Sequence, residues 1–151
     1  MLRKIRLNVP KVKETPEEIA KQILKFLNGL KCIDEVEFSA WYEQGWSKKE
    51  AQSKKVPFEE EYLLKKVNKR WDKQFPELGT SFSFWTGKND EDSNSSVSFT
   101  LGMSTKNVNI SANVLLKIPI EANAPTLNEE KVKEIVTLMQ DIWGKYSYDI
   151  F

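Results

Sequence analysis

The feature that most constrains this chain is a change in hydrophobic period between its two halves. Between residues 81 and 118, apolar residues alternate with Ser, Thr and Asn, as in Val97-Ser-Phe99-Thr-Leu101. Because successive side chains of a strand point to opposite faces, this alternation predicts antiparallel strands with one buried and one polar face. The predicted strands run through Phe82 and Phe84, from Val97 to Met103 and from Val108 to Ile118, with Ser104 to Asn107 as a hairpin connection.

Outside that region the spacing of apolar residues is mostly helical. Thr15-Pro16-Glu17-Glu18 is a helix-start pattern, and the residues from Ile19 to Leu30 that follow it form one apolar stripe. A further helix is predicted to begin near Pro57 and to end before Pro76 and Gly79. Its predicted inward residues are Leu64, Val67, Trp71 and Phe75. A last helix is predicted between a cap at Thr126 and a stop at Gly144, and alternation in residues 5–9 predicts a short N-terminal strand that Pro10 closes.

These elements predict one α+β domain that occupies residues 1–151. A chain of 151 residues is long enough for one domain with its own hydrophobic core, and it is short for two. Hydrophobic residues make up 40% and charged residues 30%, as expected for a globular protein. The predicted fold class is α+β: an antiparallel β-meander of about four strands with helices packed on one face.

Several classes of function are disfavoured by what the sequence lacks. The chain contains no His, the commonest general base and metal ligand, and no Gly-rich phosphate loop or Cys cluster. We therefore expect no catalysis, no cofactor and no metal, although a hydrolase that uses only carboxylates is compatible with the sequence. The single cysteine, Cys32, cannot form an internal disulfide, and we expect it to be a small buried residue.

The N-terminus and the overall charge bear on location and partners. Residues 1–9 alternate charged and apolar residues, and no window is apolar enough for a signal peptide or a membrane span, so we expect a cytoplasmic protein without membrane contact. Lys and Arg number 23 against 22 Asp and Glu. The Lys-rich stretch between residues 48 and 73 is interrupted by acidic residues, which disfavours direct binding of nucleic acid.

One segment of the chain concentrates negative charge. Asp90, Glu91 and Asp92 lie together between two predicted strands, at the tip of a hairpin. The segment is interpreted in three ways: as a solvated turn, as an acidic contact for a basic partner, or as a weak cation site without the spacing of a calcium loop.

Four aromatic residues are predicted in or beside turns. Large amphipathic side chains in such places are favoured anchors of protein interfaces, although they also cap a hydrophobic core under long loops. In contrast, Trp71 and Trp143 lie on helical stripes and are expected in the core. The four candidate anchors are Trp41, Tyr42, Trp46 and Trp85.

The predicted strands carry almost no charge on their polar face. Residues 93–116 contain one charged residue, Lys106. Neutral Ser, Thr and Asn lose little on desolvation, so this face or an edge of the sheet is suited to docking, to addition of a strand, or to simple solvation. Self-association through the same surface, giving a homodimer, is the alternative to binding a different protein.

The aromatic and glycine motifs resemble those of the immunity protein 52 family. The resemblance covers residues 20–143 and is carried by Trp and Gly residues. The motifs are Trp41-Tyr42-Glu-Gln-Gly45-Trp-Ser47-Lys-Lys-Glu-Ala51, Leu78-Gly79, Phe84-Trp85-Thr86-Gly87-Lys-Asn-Asp90, Leu101-Gly102 and Ile118-Pro119.

The resemblance implies an antidote of a bacterial polymorphic-toxin or contact-delivery system. The implied partner is a cognate toxin domain, often a nuclease, which the immunity protein would bind and occlude to protect the producing cell. The alternative function is a self-associating adaptor or structural domain without catalysis. We expect the toxin contact to involve Trp41, Tyr42, Trp46, Trp85, Asp90, Glu91 and Asp92.

Overall fold

A computed structural model describes residues 2–43, 49–50, 53–88, 94–119 and 128–151 of the chain. Within these ranges it contains four α-helices, one 3-10 turn and six strands. In chain order the elements are β1 (Leu2–Val9), α1 (Pro16–Ile33), α2 (Glu35–Phe38), β2 (Tyr42–Glu43), α3 (Glu60–Arg70), the 3-10 turn (Pro76–Leu78), β3 (Thr80–Trp85), β4 (Ser96–Leu101), β5 (Ala112–Pro119), α4 (Glu129–Trp143) and β6 (Tyr148–Ile150).

The six strands form one antiparallel sheet in the order β2-β3-β4-β5-β1-β6. Strands β2 to β5 are consecutive neighbours, as in a meander. The N-terminal strand β1 then pairs with β5 along its whole length, from Leu2 opposite Pro119 to Val9 opposite Ala112. The predicted α+β class is confirmed.

The three long helices pack on one face of the sheet. Helix α1 lies between α3 and α4, and its Phe26 ring packs edge-on against Phe99 of β4 at 6.2 Å and against Trp143 of α4 at 5.3 Å. Every second residue of β3, β4 and β5 is buried beneath the helices, while the alternate residues face away from them. The opposite side of the sheet, here called the open face, carries those alternate residues.

Local sequence signals determine where two of the helices begin and end. The Thr15 hydroxyl accepts a hydrogen bond from the Glu18 N–H at 3.2 Å, so the predicted start of α1 is confirmed. Helix α4 ends at Gly144, as predicted. Its N-cap is Asn128, whose side chain accepts from the Lys131 N–H at 3.0 Å, whereas Thr126 lies outside the described residues.

Other predictions from the sequence are wrong in detail. Helix α3 buries Leu63 and Val67, while the predicted inward residue Phe75 lies beyond its end and is exposed. Val108 is also exposed, because the Asn107 side chain accepts from the Asn109 N–H at 3.0 Å in a turn that delays β5 until Ala112. Cys32 is exposed rather than buried.

Candidate functional site

Two of the predicted anchors lie side by side on the open face. Tyr42 of β2 is directly opposite Trp85 of β3 in the sheet register, and both side chains are partly exposed. The Trp85 indole N–H points back to the Glu43 carbonyl at 3.4 Å. Because directly opposed residues of an antiparallel pair share a face, both side chains project from the open face at the same end of the sheet.

A glycine allows the Tyr42 ring to lie against the chain that follows β3. Gly87 has a φ of 69°, which side-chain-bearing residues rarely adopt. A Cβ atom at this position would lie 2.6 Å from Cδ2 of Tyr42. The Trp85-Thr86-Gly87 motif therefore shapes the surface on which Tyr42 rests.

The residues that flank the acidic segment, Lys88 and Asn94, are hydrogen-bonded to each other beside the two aromatic residues. The Asn94 side-chain oxygen accepts from the Lys88 N–H at 2.6 Å, and its amide donates to the Lys88 carbonyl at 3.0 Å. One step further in, the Ser95 N–H donates to the Thr86 hydroxyl at 2.9 Å. Residues 86–88 and 94–95 thus form a hydrogen-bonded platform, here called the hairpin base. Asp90, Glu91 and Asp92 lie outside the described residues, as does Trp46.

A buried carboxylate supports the hairpin base from below. Glu37 of α2 is 5% exposed and accepts from the Lys88 ammonium at 2.5 Å and from the Ser95 hydroxyl at 2.8 Å. Its own position is set by Asp34, whose side chain caps α2 by accepting from the Glu37 N–H at 3.1 Å. Asp34 also accepts from Lys131 of α4 at 3.2 Å, so α2 connects the hairpin base to the helical layer.

Trp41 does not fit the predicted role of an exposed anchor. Its side chain is completely buried and lies parallel to the Phe38 ring, with 6.0 Å between ring centroids. Because strand residues alternate between faces, Trp41 points into the core while the next residue, Tyr42, points to the open face. Trp41 therefore belongs to the core, and we leave it out of the proposed contact surface.

The middle of the open face is neutral and polar. The Ser83 and Ser98 hydroxyls lie 2.8 Å apart across β3 and β4, and Ser81 and Thr100 lie 3.5 Å apart one row further along. Further toward β1, Lys4 and Arg6 add positive charge to the face. The sequence alone does not predict these basic residues on the open face, because β1 is distant in sequence from β5 and β6, between which it lies.

An ion pair fixes β2 against the helical layer on the other side of the sheet. Glu43 pairs with Lys66 of α3 and receives a hydrogen bond from the Tyr62 hydroxyl. Burial acts to raise the pKa of Glu43, but the Lys66 and Tyr62 hydrogen bonds and the nearby positive charges outweigh it, so its pKa is lowered. Burial and the Glu43 charge raise the pKa of Tyr62.

Neither a metal-binding cluster nor a membrane-spanning helix occurs in the described ranges. Among those residues, no three His, Cys, Asp or Glu side chains are grouped so that they could hold a metal ion. No helix within the same ranges is both long and apolar enough to cross a membrane. The hairpin base and the partly exposed Tyr42 and Trp85 beside it combine hydrogen-bonding groups with aromatic rings, which is a composition common in protein-contact surfaces.

The fold defines a small α+β protein with helices on one face of an antiparallel sheet. The family model of Immunity protein 52 matches residues 10–136, and this match covers well over half of the chain. The chain therefore belongs to the immunity protein 52 family, and the predicted membership is confirmed. No curated protein sequence matches the chain.

Two of the family-like motifs have a packing role in this fold. Gly79 and Gly102 stand close to each other where β3 begins and β4 ends, and a Cβ atom on Gly79 would lie 2.1 Å from the Leu101 carbonyl oxygen. A Cβ atom on Gly102 would lie 2.7 Å from the Trp71 ring. The Leu78-Gly79 and Leu101-Gly102 motifs thus let backbone and ring approach closely in the interior.

Proposed function

We propose that this immunity protein binds a cognate toxin domain and occludes its active surface through the hairpin base. Tyr42 and Trp85 are the anchors, and the acidic residues Asp90, Glu91 and Asp92 face a basic, nucleic-acid-binding groove of a nuclease toxin. The single observation that carries the proposal is the arrangement on either side of the acidic segment: residues 86–88 and 94–95 are hydrogen-bonded into a platform beside Tyr42 and Trp85.

The rigidity of this platform favours tight binding, which occlusion of the toxin requires. Glu37 and Asn94 hold the hairpin base in one conformation, so little conformational entropy is lost when a partner binds. Negative charge facing a basic groove speeds association, and aromatic side chains that become buried slow dissociation. No step of catalysis by the immunity protein itself is needed. We place this interaction in the cytoplasm of the producing cell, which would receive the toxin by contact with its siblings.

The proposal is tested by co-expression with the reading frame immediately upstream. The C-terminal domain of that neighbour should kill cells when expressed alone, and it should be neutralised and captured by this chain. A nuclease toxin should also degrade nucleic acid in vitro until this chain is added in equimolar amount. A harmless neighbour, or one that does not bind, would overturn the proposal.

Charge reversal tests the role of the acidic segment. The triple variant Asp90→Lys, Glu91→Lys and Asp92→Lys should bind at least tenfold more weakly and show less salt dependence of the association rate. The matched control reverses three exposed acidic residues of the helical layer, at Glu17, Glu134 and Asp141, and should bind like the wild type. Equal affinity of both triple variants would remove the segment from the interface.

A further inference from the structure

We propose that the outer edge of β6 accepts an extended segment of the toxin domain as a seventh strand of the sheet. This inference rests on the proposed function, because it assigns a second contact of the same partner. It is drawn from a difference in backbone hydrogen bonding between the two edges of the sheet.

The edge at β2 is covered by the chain itself. The Glu43 N–H donates to the Lys54 carbonyl at 3.0 Å, and the Val56 N–H donates to the Trp41 carbonyl at 2.8 Å. The part of β3 that extends beyond β2 is also occupied, since the Arg70 side chain donates to the Ser81 carbonyl at 3.2 Å. Backbone groups that could pair with another strand are thereby used at this edge.

The edge at β6 presents free backbone groups. Lys4 and Phe151 exchange two backbone hydrogen bonds at 2.7 and 3.0 Å, and the Asn8 N–H donates to the Ser147 carbonyl at 3.0 Å. Because hydrogen-bonding direction alternates along a strand, Asp149 also faces β1, while the N–H and C=O groups of Tyr148 and Ile150 point outward. Within the described part of the chain, no backbone group pairs with these outward groups.

The side chains on this edge are suited to packing against an added strand. Tyr148 and Ile150 stand on the same side of β6 and are 46% and 43% exposed. Strand β6 contains neither Lys nor Pro, the residues that commonly protect an edge from pairing. A strand placed beside β6 would cover both apolar side chains and satisfy the outward backbone groups of the same two residues.

Charge identifies the kind of segment that fits. Asp149 lies on the open face, where it forms an ion pair with Arg6 at 3.1 Å and keeps 52% of its side chain exposed, so it can also face a cation at the middle residue of an added antiparallel strand. That residue should be Lys or Arg, flanked by apolar residues that meet Tyr148 and Ile150. A second copy of this chain is a poorer occupant, because the two-fold register that pairs all three residues of β6 places Asp149 against its own symmetry mate.

One toxin domain can reach both the hairpin base and β6. The two edge strands are separated by five strand spacings, roughly 24 Å. An ordinary protein interface, with about 800 Å² buried on each partner, extends over that distance. The neutral rows of serine and threonine on β3 and β4 would then lie beneath the partner.

The variant Ile150→Pro tests the edge with little change elsewhere. Proline removes the outward N–H of residue 150, whereas the hydrogen bonds between β6 and β1 use residues 149 and 151 and are retained. We expect at least tenfold weaker binding to the C-terminal domain of the upstream neighbour. The matched control Ile150→Val keeps the N–H and should bind within twofold of the wild type, and thermal unfolding should show that both variants fold.

Hydrogen exchange gives a second measurement on the unmodified chain. The Tyr148 and Ile150 amides should exchange at least tenfold more slowly in the complex, since an added strand would occupy them. Asp149→Asn should weaken binding about two- to fivefold, as expected for loss of one cross-strand charge pair, while the exposed control Asp141→Asn should not.

The outcomes separate the two proposals. If the wild-type chain does not capture the neighbour, both proposals fall. If it does, and if Ile150→Pro binds equally well and the two amides stay unprotected, only the edge inference is overturned. A concentration-dependent dimer that Ile150→Pro dissolves would also overturn it, because a second copy of the chain would then be the occupant.

Discussion

The two edges of the sheet differ in how their backbone groups are hydrogen-bonded. At the β2 edge the chain folds back on itself, so that residues 54–56 cover the backbone of Trp41 and Glu43. The same region contains a buried tryptophan, an ion pair to α3 and the hairpin base. At the β6 edge a three-residue strand pairs with β1, which is its one strand neighbour among the described residues, and Tyr148 and Ile150 are exposed.

The difference shows where this small domain concentrates its stability. The β2 edge combines the buried Trp41 side chain with hydrogen-bonded carboxylates at Glu37 and Glu43, and these contacts support the surface at Tyr42 and Trp85. The β6 edge contributes little to the core, since its residues on the helical side remain exposed. Substitutions of the buried residues at the first edge should therefore lower the stability of the fold, whereas substitutions at the second edge should leave it almost unchanged.

The largest effect is expected from Trp41→Ala at the β2 edge. Removing a completely buried indole loses its transfer free energy and leaves a cavity, so the free energy of unfolding should fall by about 3–5 kcal/mol. Urea unfolding measures this. Trp85→Ala, which removes a partly exposed indole, should cost less than half as much, and similar losses at both positions would contradict the assignment of Trp41 to the core.

Trp41→Phe is a smaller change that tests the same assignment of Trp41 to the core. The Trp41 indole N–H is buried without a hydrogen-bond partner in the described part of the chain. Phe loses volume but also removes that unsatisfied donor, so the cost should be below about 2 kcal/mol.

The next largest effect is expected at Glu37. Glu37→Ala leaves the buried Ser95 hydroxyl without its acceptor and separates α2 from Lys88, which should cost about 2 kcal/mol. Glu37→Gln keeps an oxygen for Ser95 and should lose less. Both variants should also weaken toxin binding by loosening the hairpin base, and a stability loss with unchanged binding would show that the base is not part of the interface.

A smaller effect is expected from acid at the Glu43–Lys66 pair. Because the folded-state pKa of Glu43 lies below its ordinary value of 4.5, the pair stabilises the fold fully above that pH. Its contribution should be lost as the pH falls through the lowered pKa. The pair is partly exposed, so the contribution is about 1 kcal/mol or less. The difference in unfolding free energy between wild type and Glu43→Gln, measured from pH 7 to pH 3, should shrink on the acidic side.

The smallest change in stability is expected at the β6 edge. Tyr148→Ser removes a half-exposed ring from an edge strand and should lower the free energy of unfolding by no more than about 0.5 kcal/mol. Chemical denaturation of Tyr148→Ser and of Trp41→Ala under the same conditions measures both losses. A loss comparable to that of Trp41 would mean that β6 is part of the core, and the contrast between the edges would fail.

The long, strongly patterned elements were predictable because their residues carry local signals. The Thr15 cap, the stripe of α1, the alternation of β3 to β5 and the stop at Gly144 each depend on residues close together in sequence. The short strands β2 and β6 carry no comparable pattern, since two or three residues are too few to show a period. The candidate site was predicted in part: Tyr42 and Trp85 are neighbours on the open face, but Trp41 carries the same aromatic signal and lies in the core.

The α+β class, the helical stripes, the polar face of the meander and the family of the chain can all be inferred from patterns of neighbouring residues. Which of two adjacent aromatics, Trp41 or Tyr42, is accessible cannot, because it depends on the register of a two-residue strand within the folded sheet. The tertiary structure also places β1 beside β5 and makes β6 the outermost of the six strands. Such pairings join residues more than a hundred positions apart, and their free energy comes from contacts that no local pattern encodes.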